Sequence, residues 1–184
     1  VTAGRLEDGD GRFLLRHARR AIERTLGLPQ APDEPIPPAT RSSSGAFVTL
    51  RGRRGGELRG CIGSIEPRAP LHEAVAEAAI AAALEDPRFP PVTRAELVDL
   101  RLDVSVLSPL APIAPEAVEV GRHGLLVRHQ GRGGLLLPQV ATEQGWDRQT
   151  LLEQTCRKAG LPRDAWREPG CRLLGFEAQV FEEP

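Results

Sequence analysis

Residues 47–65 read FVTLRGRRGGELRGCIGSI. Phe47 to Leu50 is an apolar strand, Arg53-Arg54-Gly55-Gly56 a turn, and Leu58 to Ile65 the return strand. Gly-Gly supplies the positive φ that a tight turn needs. The pattern returns further on. Leu125 to His129 is predicted as a strand, Arg132-Gly133-Gly134 as a turn, and Leu135 to Val140 as its return. Hairpins join antiparallel neighbours directly, whereas parallel strands need a long crossover. Two such hairpins therefore argue against a doubly wound sheet.

Each hairpin is followed by a helix and then a strand. After the first, Pro70 to Glu85 forms a helix with Pro70 at its first position and Pro87 beyond its end. Leu71, Ala74, Val75, Ala78, Ala79, Ala82 and Ala83 give it a wide face of mostly small side chains, suited to lying close on a sheet. A short helix is expected from Thr93, with Thr93 and Glu96 as a capping box and Val92 and Leu97 as its staple. The strand Leu102 to Leu107 alternates apolar and polar residues up to its apolar end. After the second hairpin, Asp147 caps a helix carrying Leu151, Leu152, Thr155, Cys156 and Ala159, which Gly160 ends. Leu173 to Phe181 is predicted as one final strand. The fold class is thus α+β: antiparallel sheet with covering helices, in two related hairpin–helix–strand units that form two sublobes. One domain of 184 residues is expected, with sublobes at about 1–108 and 109–184.

Ahead of the first hairpin, Asp10 is expected to cap a helix over residues 11–26, with Leu14, Ala18, Ala21, Ile22 and Thr25 on one stripe and Gly27 as its stop. Pro29, Pro32, Pro35, Pro37 and Pro38 then make a stretch that can neither coil nor pair, read as an extended surface strap.

Composition narrows the function classes. The formal net charge is −1, so no global attraction to nucleic acid or an anionic membrane is expected. No apolar run is long enough to span a bilayer, and residues 1–12 carry no signal-peptide core. Three widely spaced cysteines are not a disulfide framework, which fits a cytoplasmic protein. Lys158 is the one lysine, and Asn, Tyr and Met are absent. Those residues have AT-rich codons, so a GC-rich bacterial genome is the expected source.

Several segments carry a family resemblance, in order along the chain. They are Leu58-Arg59-Gly60-Cys61-Ile62-Gly63, Asp86-Pro87-Arg88-Phe89, Val104-Ser105-Val106-Leu107, His123-Gly124-Leu125, Leu137-Pro138-Gln139-Val140-Ala141, Gly145-Trp146-Asp147 and Lys158-Ala159-Gly160-Leu161, followed by Trp166 and Phe176 to Phe181. As a set they resemble the AMMECR domain family over essentially the whole chain. The resemblance implies a two-sublobe α+β fold, with the LRGCIG hexapeptide lining a cleft between the lobes. It implies no established activity. It does suggest Memo-type dioxygenase-like proteins and radical-SAM proteins as partners, because family members are often encoded beside them.

Strand alternation puts Arg59, Cys61 and Gly63 on one face. A guanidinium beside a thiol lowers the thiol pKa and favours the nucleophilic thiolate. Cys61 as nucleophile, Arg59 as its stabiliser and His123 as base are the candidate catalytic set. A small buried packing cysteine is the competing reading. Gly60 and Gly63 would let a ligand or another backbone approach closely. Asp86, Arg88, Ser105 and Gln139 complete the candidate binding residues, with a loop-pinning ion pair as the alternative for Asp86 and Arg88. Asp103 shares a strand face with Ser105 and would need a partner, for which Arg59 is a candidate. No metal motif, nucleotide fingerprint or cofactor is expected. The ligand would be a small molecule or a peptide. Arg51, Arg53, Arg54 and Arg59 cluster on the first hairpin, but without an aromatic platform nucleic acid is a lesser reading. Three functions remain open: an enzyme or ligand-binding protein at Arg59–Cys61, a non-catalytic adaptor, and an RNA-associated protein.

Overall fold

A computed structural model of the chain describes residues 5–66 and 68–184. The chain divides into two units. One runs up to Leu107 and takes in Gln179–Pro184, and the other is Ser108–Ala178. Each is built on a four-stranded antiparallel sheet, so the expected α+β class is the observed one.

The first unit begins with α1 (Asp8–Thr25). Its cap is Glu7, not Asp10. Asp10 stands three residues in and accepts from the Glu7 N–H at 3.0 Å. Shifting the start brings a second carboxylate, Asp8, into the first turn, where helix N–H groups favour it. Gly27 follows at φ +69°. The proline-rich strap then folds back along the helix. Arg16 grips Glu34 side-on, donating from Nη2 and Nε to its two carboxylate oxygens (2.7 and 2.9 Å), and Arg20 donates to the carbonyls of Ala31 and Pro32.

Strand β1 (Ala46–Gly52) pairs with β2 (Leu58–Ser64), and Gly56 takes φ +69° in the loop between them. Helix α2 (Leu71–Leu84) crosses back to β3 (Leu100–Leu107), and β8 (Ala178–Glu182) completes the order β2-β1-β3-β8. Helices α1 and α2 pack on each other and cover one face of this sheet. Val48, Leu50, Leu102 and Val104 point into that layer against Leu14, Ile22, Leu71 and Val75, all fully buried. The Thr93 segment departs from expectation. Its capping hydrogen bonds form, but only turns and a single 3-10 turn (Leu97–Asp99) follow, because β3 starts immediately after.

In the second unit, β4 (Ala111–Pro112), β7 (Arg172–Phe176), β5 (Gly124–His129) and β6 (Arg132–Leu136) lie in that order. Helix α4 (Arg148–Lys158) covers β5 and β6. Asp147 caps it, accepting from the Thr150 N–H at 2.7 Å, and Gly160 ends it at φ +70°. Three expectations need correction here. The hairpin turn is Gln130-Gly131 (φ +49° and +75°), while Gly133 and Gly134 lie inside β6. Gly134 serves packing instead, since a Cβ there would stand 2.4 Å from the Ala159 nitrogen. The predicted return strand stops at Leu136, and Pro138 opens a short helix α3 (Pro138–Glu143), which puts Gln139 on a helix. Finally, Leu173 to Phe181 is two strands. Glu177 breaks them, its N–H bound to the Ser108 hydroxyl at 2.9 Å, and the chain passes from one sheet to the other. No helix among the described residues is long and apolar enough to cross a membrane.

Candidate functional site

Strand β2 is the outer strand of its sheet. Gly60 and Ile62 face α2, and Arg59, Cys61 and Gly63 take the opposite face or the edge. Gly60 is where strand and helix nearly touch. A Cβ on it would lie 2.1 Å from the Ala82 carbonyl oxygen. Gly63 is tight for a different reason, its missing Cβ lying 2.2 Å from the Ala46 carbonyl oxygen of β1. Both glycines of the hexapeptide thus let the backbone pack against protein.

An outer strand leaves every second N–H and C=O unpaired by the sheet. At Cys61 the protein supplies its own cover. The buried Asp86 carboxylate accepts from the Cys61 N–H at 2.9 Å. Arg88 donates to the Cys61 carbonyl at 3.3 Å. Asp86 also accepts from the Arg88 N–H (3.1 Å) and from two guanidinium nitrogens (2.9 and 2.7 Å). The Arg88 guanidinium first, then these backbone donors, hold the Asp86 carboxyl far below its usual range. Asp86 and Arg88 therefore stand in for a neighbouring strand at one residue. The loop is pinned as the ion-pair reading expects, and the thing it is pinned to is the cysteine.

On the face of the sheet turned away from α1 and α2, side chains line up across three strands. Cys61 stands opposite Thr49, and Thr49 opposite Asp103. The Thr49 hydroxyl donates to the Cys61 sulfur at 3.2 Å. Ser105 lies two residues along from Asp103 and is buried. One Asp103 oxygen takes the Arg51 Nε at 3.1 Å. The other is buried with no hydrogen-bond partner. Burial first, then the nearby Glu182, pushes the Asp103 carboxyl up, against the pull of Arg101 and Arg51. The expected partner, Arg59, is replaced by Arg51, because the hairpin register brings Arg51 rather than Arg59 beside β3.

Arg59 is committed elsewhere. Its Nε and Nη2 donate to the two Glu96 carboxylate oxygens (2.5 and 3.1 Å), its Nη1 is buried without a hydrogen-bond partner, and the guanidinium carbons of Arg59 and Arg88 stand 5.8 and 5.5 Å from the centre of the Phe89 ring. Glu96 is therefore more than a cap. The histidines are engaged as well. His17 stacks on Phe13, the His72 ring bonds the Thr40 carbonyl at 3.0 Å, and His129 meets Glu168 at 2.9 Å. His123 belongs to the second unit, where its Nδ1 accepts from the Glu119 N–H at 3.0 Å. Gln139 is also in that unit, with its carbonyl oxygen buried and unpartnered. The structure thus gathers Arg59, Gly60, Cys61, Gly63, Asp86, Arg88 and Ser105 in the first unit, with His123 and Gln139 in the second. The three cysteines are free thiols. Burial pushes those of Cys156 and Cys171 up. Among the described residues, no three His, Cys, Asp or Glu side chains converge as a metal site would require.

Thr49 escaped the sequence reading, and Arg51 entered it only as one of the clustered hairpin arginines, not as the partner of Asp103. Each looks like an ordinary strand residue until register is known. The one available signal was parity. In a hairpin closed at residues 53–56, Thr49 falls on the face of Cys61.

Comparison with known proteins agrees with this architecture. A sequence model of the AMMECR1 family matches residues 15–181. A protein of Thermofilum pendens is 46% identical over 199 residues, covering 98% of this chain and 92% of its own length. One from Thermococcus gammatolerans is 48% identical over 190 residues, with 97% and 93% covered. The crystal structure of an uncharacterized protein from Pyrococcus horikoshii aligns with a TM-score of 0.89 at 44% identity, over 97% of this chain and 93% of that one. These relatives are archaeal and uncharacterised, so they bring no activity with them and lend no support to a bacterial source. By a match spanning nearly its whole length, the chain belongs to the AMMECR1 family.

Proposed function

We propose that this protein is a ligand-binding protein whose site is the row Cys61–Thr49–Asp103 on the first unit's sheet, with Arg51 at its border. The observation that carries this reading is the unpartnered oxygen of Asp103. A buried carboxylate with a free acceptor is costly, and such groups concentrate where a ligand completes them. The missing partner is a hydrogen-bond donor, so the ligand carries an N–H, O–H or ammonium group. The row runs from buried Ser105 and Asp103 toward Cys61 and Arg51, which remain partly exposed.

A thiol nucleophile at Cys61 is the enzymatic form of this reading. The hydroxyl of Thr49 is the donor aimed at its sulfur. Arg59 is neutralised by Glu96, which argues for binding ahead of covalent chemistry. An RNA-associated role draws little support from the first hairpin. Arg51 pairs with Asp103, Arg53 with the Val98 and Pro184 carbonyls, and Arg59 with Glu96. Adaptor function with Memo-type or radical-SAM proteins is compatible with a bound ligand and is read out by co-elution.

Asp103→Asn separates function from stability. The folded-state pKa of Asp103 is raised, so folding favours its protonated form. That contribution is complete below the unfolded carboxyl value of about 3.9 and is lost as pH rises through the folded value. Asparagine stays neutral throughout. Near pH 7 the variant should melt at or above the wild-type temperature, and the gap should close toward pH 4. In a thermal-shift screen of polar metabolites, compounds that stabilise the wild type should also slow iodoacetamide labelling of Cys61. They should do neither in Asp103→Asn. A panel that neither stabilises the protein nor protects Cys61 would sink the binding reading, as would hits that ignore the substitution.

A further inference from the structure

The Asp86–Arg88 cover on β2 ends at Cys61. Because the Cys61 N–H and C=O point outward, the alternation of an antiparallel strand turns those of Gly63 outward too. Among the described residues, nothing bonds Gly63 as Asp86 and Arg88 bond Cys61. At this point a groove of about 280 Å³ opens between the β2 edge and α2. Its floor is apolar, from Ala46, Ile62, Ala78 and Ala81. The wall on the α2 side carries Glu77, which is exposed and pairs with no described cation, whereas the one cation among the described lining residues, Arg68, is already paired with Glu66 at 2.8 Å, which leaves Glu77 as the uncompensated charge.

An open strand edge, an apolar trough beside it and an acidic wall select one kind of occupant. Small apolar molecules would leave the Gly63 backbone groups unsatisfied, and a helix has no free backbone groups to offer them. An extended chain satisfies both, with main-chain hydrogen bonds for affinity and alternate side chains for specificity. We propose that the groove between β2 and α2 binds an extended peptide segment of a partner protein, added beside β2 at Gly63. One side chain of the segment is apolar and seats on Ile62, Ala78 and Ala81. The residue two positions away is Lys or Arg and meets Glu77, since alternate residues of a strand share a face.

The site is separate from Asp103, and its test is independent of the ligand-binding reading. A phage-displayed library of random linear peptides is panned against the full chain. The expected consensus places a basic residue two positions from an aliphatic one. A synthetic peptide of that consensus should bind by fluorescence anisotropy, and Glu77→Lys should weaken it about tenfold, or 1.4 kcal/mol. Glu77 is exposed, so this variant should fold, and wild-type circular dichroism checks that it does. Hydrogen exchange then tests the binding mode. The Gly63 amide should become protected in the complex, while the Cys61 amide, already bonded, should not change. Methylating the peptide nitrogen that faces β2 should abolish binding. Failure to enrich any consensus would overturn the proposal. So would peptides that bind Glu77→Lys equally well, or that leave Gly63 exchange unchanged. Concentration-dependent self-association lost in Glu77→Lys would also overturn it, by making a second copy of this chain the occupant.

Discussion

Gly60→Val is expected to lower stability by about 3 kcal/mol and to leave a large part of the protein unfolded at moderate temperature. The first atom of any side chain at this position would meet the Ala82 carbonyl oxygen at 2.1 Å. That oxygen is main chain within α2, so no rotamer change relieves the clash. Either α2 lifts from the sheet or β2 bends away. Lifting α2 loosens Leu71, Val75 and Ala79, all fully buried. Bending β2 moves Cys61 off the Asp86 carboxylate. Gly60→Ala should cost less, about 2 kcal/mol, because only one carbon must be placed. Against a typical total of about 5–15 kcal/mol, either loss is readily seen in urea unfolding. A Gly60→Val protein as stable as the wild type would mean that strand and helix do not approach this closely.

Asp86→Ala is the second large effect, about 2–3 kcal/mol. The substitution strands the Cys61 N–H at the sheet edge and removes the carboxylate that holds both the Arg88 amide and its guanidinium. Arg88→Ala should cost less, about 1–2 kcal/mol, because its own side chain is 54% exposed, but the buried Asp86 carboxylate would lose its strongest partner and keep only the Cys61 and Arg88 backbone N–H groups. The asymmetry is the useful readout. Equal losses would describe a simple surface pair, whereas a dominant Asp86 describes a carboxylate satisfying backbone. Acid titration adds a sign. The folded-state pKa of Asp86 is depressed, so its contribution is present above the unfolded value of about 3.9 and is lost as pH falls through the folded one. Wild-type stability should fall on acidification below about pH 4 more steeply than that of Asp86→Ala. Urea midpoints across that window measure the difference.

These effects show how differently the parts of the hexapeptide could be read in advance. The strand itself was legible, because apolar residues at Leu58 and Ile62 and a Gly-rich turn before them describe a hairpin without reference to anything distant. So was the small-residue face of α2, which predicts a close neighbour. That Gly60 is the neighbour was not legible, since glycines also serve turns and ligand approach. The second hairpin makes the same point. Gly133-Gly134 looks like a turn signal, but Gln130-Gly131 closes the hairpin, and Gly134 is small because the end of α4 crosses it. Likewise Leu173 to Phe181 reads as one strand because its residues are uniformly strand-forming. It breaks at Glu177 because Ser108, 69 residues earlier, binds its backbone.

Local chemistry alone determined the α+β class, the hairpins, the Asp147 cap and the Gly27 and Gly160 stops, since each depends on residues within a turn or two. Tertiary structure alone decided that Asp86 and Arg88 cover the edge at Cys61, that Arg51 rather than Arg59 serves Asp103, and that Thr49 faces the thiol. Those pairings depend on strand register and order: a shift of one residue in register would send the strand side chains, Thr49 and Arg51 among them, to the other face of the sheet, and would turn a different residue of β2 toward the Asp86–Arg88 loop.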